Sequence, residues 1–371
     1  MAYISLNTDK LRHNYLQLDN LFKKNGLQWA VVSKMLCGNK KYLEALIQLG
    51  IRQVCDSRVS NLKTIKSIAP DIETYFIKPA AKRNAQKVVM YADVSFNTSY
   101  ETVKALSAHA VALNKQHKIV IMVELGERRE GVMKNQLPEF YAAVSQLPNI
   151  EVVGLGTNHT CMFGVLPDYD KLSLLCICKE VIKERFGDDI PIISGGASVT
   201  IPLIEENELP AAVNHFRVGE TLFLGTDVYS NEEREDLHQD VFTLYAEIIE
   251  LQKKPLAPSG KMGLNLMREK YTQQSSSKSS IRAIVDVGLI DIEAKHMVPD
   301  DLSLKIIGAS SDMMVVDLGE NDEHYKVGDD IKFRMDYMGI LRIMHSAYVE
   351  KRIETEALAS IERSKAATIL N

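Results

Sequence analysis

Short apolar segments alternate regularly with helical patterns over the first two thirds of the chain, and this alternation constrains the fold more than any other feature. The apolar segments are rich in β-branched residues, as in buried strands. The segments between them carry apolar residues at three- and four-residue spacing, as in helices. The predicted strands are 28–34, 53–57, 73–78, 94–97, 119–125, 152–158, 190–196 and 215–225. Strand–helix alternation implies parallel pairing with right-handed crossovers.

Eight such strands are typical of a (β/α)8 TIM barrel. An open doubly wound sheet is the competing fold, but it usually has fewer repeats and needs no eighth strand. Asn39, Ser57 and Ser99 are predicted to cap the helices that follow them.

The pattern changes after about residue 230, where β-branched segments follow one another without long helical patterns between them. These segments are 241–252, 280–291, 303–319, 329–337 and 341–353. We therefore predict a barrel domain over 1–232 and an all-β C-terminal domain over 233–371, with the first strand, about 1–8, assignable to either. The order of loop 256–280 is left open, and 354–368 has a helical pattern.

Composition excludes several functional classes. The net charge of -5 gives no reason to expect nucleic acid or an anionic membrane as a partner. No apolar run approaches the ~20 residues of a membrane span, and the first residues lack the apolar core of a signal peptide, so a cytoplasmic protein is expected. The five cysteines are scattered, which predicts reduced thiols, and Cys176 and Cys178 lack zinc-site spacing, so no metal site is predicted.

Lys34 ends the first predicted strand, directly after an apolar run. A lysine is rarely buried without a partner, so it either extends to water or performs chemistry. Active sites in barrels of this kind lie at the carboxyl ends of the strands, which is where Lys34 falls.

The seventh and eighth strands end in segments suited to binding an anion. Glycines let backbone N–H groups approach a phosphate, and a serine hydroxyl adds a donor. The candidate residues are Ser194, Gly195, Gly196, Ser198, Arg217, Gly219 and Glu220. An ordinary salt bridge is the alternative role for Arg217. A lysine on strand one with a phosphate site at strands seven and eight indicates a phosphate-bearing aldehyde bound to the amine, which is pyridoxal 5'-phosphate (PLP).

The chain resembles the alanine racemase-like group of PLP enzymes (fold type III), and within it the ornithine racemase-like branch. The segments that carry the resemblance, in order, are SLNTDKLRHNY, VVSKMLCGN, DSRVSNLK, MVELGERREGV, GLGTNHTC, ISGGAS, FRVGETLFLG, AEIIELQKKP, GASSDMMVVD and YMGILRIMHSAYVEK. They extend over almost the whole chain.

The resemblance implies a role for each matching residue. Lys34 would form the Schiff base with the cofactor, and Arg217 would hydrogen-bond the pyridine nitrogen. Ser198, with the backbone around Gly219 and Glu220, would bind the phosphate. Arg129 would orient the phenolic oxygen of PLP. A histidine stacks on the ring in this group, and the register leaves Asn158 and His159 open for that position.

The implied activity is racemisation of an amino acid through a carbanion at Cα. Because Arg217 keeps its proton, it leaves the pyridine nitrogen unprotonated, which weakens the electron sink and suits racemisation over side reactions. Lys34 would be the base on one face of Cα. The ornithine racemase-like branch carries a histidine where this chain has Met313, so the substrate is left open between basic and small amino acids.

The acid/base on the opposite face is a tyrosine in alanine racemases, and this chain lacks it. The corresponding segment reads Gly288-Leu289-Ile290-Asp291. Asp312 is the first candidate for this group, either for proton transfer or for binding a distal amine, or it is a turn aspartate. The other candidates are Asp291, Tyr337 and His345.

In this group the β domain covers the barrel mouth of the other subunit, so the resemblance implies a homodimer with its active site at the interface. Decarboxylation or aldol cleavage with the same cofactor, and a PLP-binding protein without turnover, are the alternatives to racemisation.

Overall fold

A computed structural model of the chain describes residues 1–266, 268, 270 and 278–355. It divides into two compact units, one of residues 10–239 and one of residues 1–9 with 240–371. Part of the loop predicted over 256–280 and nearly all of the helix predicted over 354–368 lie outside the described residues.

The chain begins with strand β1 (Tyr3–Asn7) and helix α1 (Thr8–Lys24), and then enters the alternating region. The strands there are β2 (Gln28–Val32), β3 (Gln53–Asp56), β4 (Glu73–Phe76), β5 (Val94–Asn97), β6 (His117–Glu124), β7 (Val132–Met133), β8 (Ile150–Gly156), β9 (Ile192–Ala197) and β10 (His215–Val218). The helices are α2 (Lys40–Ile47), α3 (Val59–Ile68), α4 (Ala85–Tyr91), α5 (Tyr100–Ala112), α6 (Leu137–Ser145), α7 (Tyr169–Phe186), α8 (Ile201–Glu205) and α9 (Glu220–Leu224).

Eight of these strands form a closed parallel barrel, which confirms the predicted fold. They pair in the order β5-β4-β3-β2-β10-β9-β8-β6, and β5 also pairs with β6, which closes the ring and excludes the open doubly wound sheet. Alternate residues of the strands fill the interior with apolar side chains, which include Ala30, Val32, Cys55, Tyr75, Val94, Phe96, Val120, Met122 and Val153.

Two predicted strands end earlier than expected. Strand β2 ends at Val32, and Lys34 lies in the 3-10 turn Ser33–Leu36 that follows it. The segment 215–225 was predicted as one strand, but only β10 is extended, and α9 begins at Glu220. An apolar run of this length is ambiguous between strand and buried helix, and the Leu222–Leu224 part is buried as helix.

The predicted helix caps have different outcomes. The Asn39 side chain accepts from the Tyr42 N–H at 3.1 Å, which confirms that cap. Ser99 occupies the N-cap of α5 without a side-chain bond, and the prediction for Ser57 is wrong, because Arg58 is the N-cap of α3.

The barrel unit extends to Gln239, past the boundary expected at 232. The short strands β11 (Thr226–Asp227) and β12 (Glu232–Glu233) pair with each other. The Asn14 amide of α1 then donates to the carbonyls of Leu222 at 3.1 Å and His238 at 2.8 Å. These bonds hold the chain after β10 against the barrel.

The second unit is built on an antiparallel sheet. Its elements are β13 (Phe242–Pro255), β14 (Ser279–Val285), β15 (Met297–Pro299), β16 (Lys305–Ala309), β17 (Met314–Asp317), β18 (Asp330–Met335), α10 (Tyr337–His345) and β19 (Glu350–Glu354). The strand order is β15-β18-β13-β14-β17-β16, and β1 pairs with both β13 and β19. The prediction of strand for 341–345 is wrong, because the Asp336 carboxylate caps α10 by accepting from the Gly339 N–H at 2.8 Å.

The turn after β6 requires glycine at position 131. Gly131 has φ +143°, and a Cβ there would lie 2.5 Å from the backbone nitrogen of Glu124. We expect Gly131→Ala to lower the free energy of unfolding by about 3 kcal/mol, since it combines a forbidden φ with a backbone clash. The control is Gly26→Ala, where φ is +67° and nothing lies within 4 Å, so about 1 kcal/mol is expected. Urea unfolding of both variants measures the difference, and equal losses would contradict the clash.

Candidate active site

Lys34 lies in a short turn at the carboxyl end of β2. The 3-10 turn Ser33–Leu36 ends at Cys37, which has a left-handed φ of 49° and donates its N–H to the Lys34 carbonyl at 3.2 Å. The Lys34 residue is half-buried. The turn therefore fixes the backbone of the predicted Schiff-base lysine at the face of the barrel where active sites lie.

A buried carboxylate anchors the start of this turn. Asp56 ends β3 with no exposed surface, and burial raises its pKa. Its carboxylate accepts from the Ser33 hydroxyl at 2.8 Å, from the Asn61 amide at 3.1 and 3.2 Å, and from the Arg58 N–H at 2.8 Å. Because Ser33 immediately precedes Lys34, these bonds fix the direction in which the chain leaves β2.

Asn61 also limits the end of the turn. Gly38 has φ +75°, and a Cβ there would lie 2.6 Å from the Asn61 side-chain oxygen. Asp56 and Asn61 thus act on both ends of the Lys34 turn. Neither residue is predicted from the sequence to have a role, although an aspartate at the end of a barrel strand is a signal for one.

Arg217 lies inside the barrel on β10 and is 5% exposed. Its guanidinium donates to the Thr157 carbonyl at 2.7 Å and to the Ser194 hydroxyl, and it lies 5.0 Å from the centre of the Phe96 ring. Burial lowers its pKa, but arginine still keeps its proton. Within the described part of the chain, both hydrogen bonds of the guanidinium go to neutral oxygens and not to a carboxylate. Among these residues, Arg217 therefore does not form the salt bridge that was the alternative to a role in cofactor binding.

Ser194 connects Arg217 to a buried histidine. Its hydroxyl oxygen lies 2.8 Å from His215 Nδ1. Since the guanidinium has only donors, Ser194 accepts from Arg217 and donates to Nδ1. Burial lowers the pKa of His215 to about 3, so the imidazole is neutral and can accept that proton. Ser194 therefore holds Arg217 in place through its hydroxyl, and its predicted contact with the cofactor stays a prediction.

The loops after β9 and β10 lie side by side and are rich in donors. The Ser198 hydroxyl oxygen accepts from the Thr221 N–H at 3.3 Å. Gly196 has φ +135°, and a Cβ at that position would lie 2.4 Å from the Thr200 hydroxyl. Gly219 lies against β2, where a Cβ would be 3.0 Å from Val32. The loops predicted to bind an anion are thus adjacent to the strand that leads to Lys34.

His159 is buried after β8, and within the described residues neither ring nitrogen has a hydrogen-bond partner. Burial, followed by the positive charges of Lys171 and Arg217, lowers its pKa to about 4. The neighbouring Asn158 is half-buried, and its amide lies 3.1 Å from Cys161 Sγ. The sequence left Asn158 and His159 open for stacking on the cofactor ring. Of the two, His159 is buried near Arg217 and has no hydrogen-bond partner within the described residues, whereas the Asn158 amide contacts Cys161.

Arg129 follows β6 and forms a bidentate pair with Glu130, with Nη2 at 2.5 Å from Oε1. The hydrogen bond to Glu130 is the main cause that raises the pKa of Arg129. Arg129, Glu130 and Cys161 are all close enough to act electrostatically on Arg217. The fold therefore brings Arg129 to the same end of the barrel as Arg217.

The candidates for the second acid/base lie in the second unit. Asp312 is exposed, and its carboxylate accepts from the Ser311 hydroxyl at 2.5 Å. Asp291 is buried and accepts from the Ser346 hydroxyl at 2.5 Å, so its carboxylate serves the local fold. Tyr337 and His345 are the first and last residues of α10, so the expectation of a strand position for His345 is wrong.

Two comparisons of sequence identify relatives along the chain. Residues 6–227 match the family described as alanine racemase, N-terminal domain. The chain is 37% identical over 352 residues to the ornithine racemase of Acetoanaerobium sticklandii, covering 94% of this chain and 99% of that protein. It is 29% identical over 351 residues to the lysine racemase of Thermotoga maritima, covering 94% and 97%.

Solved structures share the fold. An alanine racemase of Clostridium difficile 630 superposes with a TM-score of 0.74 at 14% identity, covering 96% of both chains. An alanine racemase from Bartonella henselae with covalently bound pyridoxal phosphate gives a TM-score of 0.71 at 15% identity, covering 95% of this chain and 99% of that one. The described residues contain no helix with the length and apolar character to cross a membrane.

Proposed function

The chain belongs to the alanine racemase N-terminal domain family, and from this membership we propose that it is a PLP-dependent amino acid racemase acting on a basic substrate such as ornithine or lysine. The observation that carries the proposal is the 37% identity to an ornithine racemase over 94% of the chain. The lysine racemase relative, which also acts on a basic amino acid, supports the same substrate class.

The residues at the end of the barrel fit this cofactor. Lys34 offers an amine for the aldehyde, and Arg217 is a buried guanidinium for the ring nitrogen. The Ser198 hydroxyl and the glycine backbone around it suit the phosphate. His159 supports the fit most directly, because its buried imidazole has two nitrogens without partners among the described residues.

PLP, when bound, supplies an electron sink that makes the Cα proton of an amino acid removable. The chain's own groups then have distinct tasks. Lys34 Nζ moves the proton on one face of Cα. Arg217, kept charged and held by Ser194 and Thr157, retains its proton and limits side reactions. Arg129 would hold the phenolic oxygen of the cofactor, and His159 would lie against its ring.

Asp312 is our proposal for the group on the opposite face of Cα. Its exposure and its position between β16 and β17 suit a residue that meets substrate, whereas Asp291 is buried and bonded to Ser346. Binding of the distal amine of the substrate is the other role proposed for Asp312. A homodimer with a shared active site is part of the same proposal.

The test is a spectrum followed by a substrate screen. The purified protein should be yellow, and borohydride should remove that absorbance. Chiral chromatography after incubation with L-ornithine, L-lysine or L-alanine should find the D form of a basic amino acid in greatest yield. Carbon dioxide and aldehyde are measured in the same samples. Their release without a D product would replace racemisation by decarboxylation or aldol cleavage, and a colourless, inactive protein would refute the cofactor.

A further inference from the structure

One loop of the barrel unit encloses the carboxylate of Glu127. This residue follows β6 and is 3% exposed. Its two oxygens accept five backbone N–H groups at 2.5 to 3.2 Å, donated by Thr160, Cys161, Met162, Phe163 and Val165. One side chain from the turn after β6 thus accepts five of the backbone N–H groups of residues 160–165 in the loop after β8.

The enclosed carboxylate is ionised. Burial alone would raise its pKa, but the backbone N–H donors outweigh burial and bring the pKa to about 2. Hydrogen bonds to a charged acceptor are stronger than neutral ones. Because the folded pKa lies below the ordinary 4.5, this stabilisation is complete above pH 4.5 and is lost as the pH falls through about 2.

Besides the Glu127 bonds, the described hydrogen bonds of the loop are few. The Thr160 N–H and hydroxyl donate to the Val165 carbonyl at 3.0 and 2.9 Å, and the Asn158 amide lies 3.1 Å from Cys161 Sγ. Met162 and Phe163 at its tip are 55% and 66% exposed, so apolar burial contributes little there. Thr160 has a left-handed φ of 56°, which is costly for a β-branched residue. A loop that is poor in buried apolar contacts opens easily unless its polar contacts are strong. The Glu127 carboxylate supplies most of those contacts.

The loop begins directly after His159. The His159 ring is buried, and within the described residues neither of its nitrogens has a hydrogen-bond partner. Glu127 and Arg217 are both near enough to affect its pKa. The orientation of the ring therefore depends on how firmly the backbone beyond it is fixed.

We propose that Glu127 is a positioning residue, which folds residues 160–165 around its carboxylate and so holds the His159 imidazole in place against the cofactor. The identity of the cofactor in this statement rests on the proposed function. Glu127 itself takes no part in the proton transfers and acts only through His159.

The test compares Glu127→Gln with Glu127→Asp and with a control. Glutamine keeps the size but places an NH2 donor against backbone N–H groups that need an acceptor, whereas aspartate keeps the charge on a shorter side chain. The control is Glu139→Gln, which removes a surface carboxylate whose side chain is 66% exposed. Circular dichroism checks the fold, and the aspartate variant carries the test if the glutamine variant does not fold.

Two measurements report on the loop without the cofactor. Chymotrypsin cleavage after Phe163, located by mass spectrometry, should be about tenfold faster or more in Glu127→Gln, because opening the loop no longer breaks charge-assisted bonds. The His159 pKa, followed by NMR and assigned with a His159→Asn variant, should rise from about 4 toward 6.5, because an opened loop relieves the burial that lowers it. Loss of the Glu127 charge alone would lower this pKa further, so a rise reports exposure of the ring to water. Glu127→Asp should fall between wild type and Glu127→Gln in both.

A third measurement reports on function, namely the visible absorbance of the holoenzyme with kcat and KM. Glu127→Gln should shift the absorbance and lower kcat, while Glu139→Gln should match wild type. Unchanged cleavage and an unchanged His159 pKa would overturn the proposal. A released loop with wild-type absorbance and kcat would overturn the positioning role. If the wild-type protein binds no PLP, the proposed function fails, and so does the proposed contact of His159 with the cofactor. The cleavage rate and the His159 pKa still decide whether Glu127 holds His159.

Discussion

Replacing Lys34 with alanine should abolish both the yellow absorbance and the racemase activity, with a loss in kcat of about 10⁴-fold or more. The expected loss is chemical, because the variant removes the amine that would react with the aldehyde. The turn that carries Lys34 is held by Ser33, Asp56 and Asn61, and none of these bonds uses the Lys34 side chain. Ultraviolet-visible spectroscopy and chiral chromatography of the purified variant measure the two losses.

Two further variants separate charge from nucleophilicity at this position. Lys34→Arg keeps the positive charge, but a guanidinium stays protonated and cannot attack the aldehyde, so it should be as inactive as the alanine variant. Lys40→Ala, six residues along and 68% exposed in an ion pair with Glu44, should keep wild-type colour and activity. A Lys34→Ala protein that retains the borohydride-sensitive absorbance would refute the assignment of Lys34.

Arg217→Lys should keep the colour but lower kcat by about 10²-fold or more. The guanidinium reaches Ser194 and Thr157 from a planar fork that also lies over Phe96, and a single ammonium cannot reproduce this arrangement. Lysine can also give up its proton to the pyridine nitrogen, which strengthens the electron sink. The ratio of keto acid, formed by transamination as a side reaction, to D product should therefore increase. The lost bonds should lower the free energy of unfolding by about 2–4 kcal/mol.

Arg234→Lys is the matched control for that variant. Arg234 is also largely enclosed, with 13% of its side chain exposed, and it pairs with Glu205 and Asp236 in the same unit. It should lose stability while the absorbance and the ratio of keto acid to D product stay at wild-type values. If Arg217→Lys and Arg234→Lys behave alike, Arg217 has only a structural role.

Local patterns were sufficient for the barrel but not for every element. The strand and helix periods differ, and parallel strands that alternate with helices leave few topologies. Two apolar segments were misread, at 219–225 and 341–345. The first contains α9 and the second is the end of α10, which Asp336 caps at its start. A short run of apolar residues has neither the alternation of a strand nor the 3.6-residue repeat of a helix. The choice between helix and strand therefore depends on a capping contact and on what the run packs against.

The sequence by itself determined the barrel and the positions of Lys34, Arg217 and the glycine loops, because the ends of parallel strands must meet at one face of the barrel. Only the tertiary structure decided how these groups are held. Ser33 meets Asp56 across 23 residues, Arg217 meets Thr157 across 60, and Glu127 reaches the loop at Thr160 across 33. No local pattern encodes such pairs, since each forms only when the strands pair in the barrel and bring their carboxyl ends within hydrogen-bonding distance.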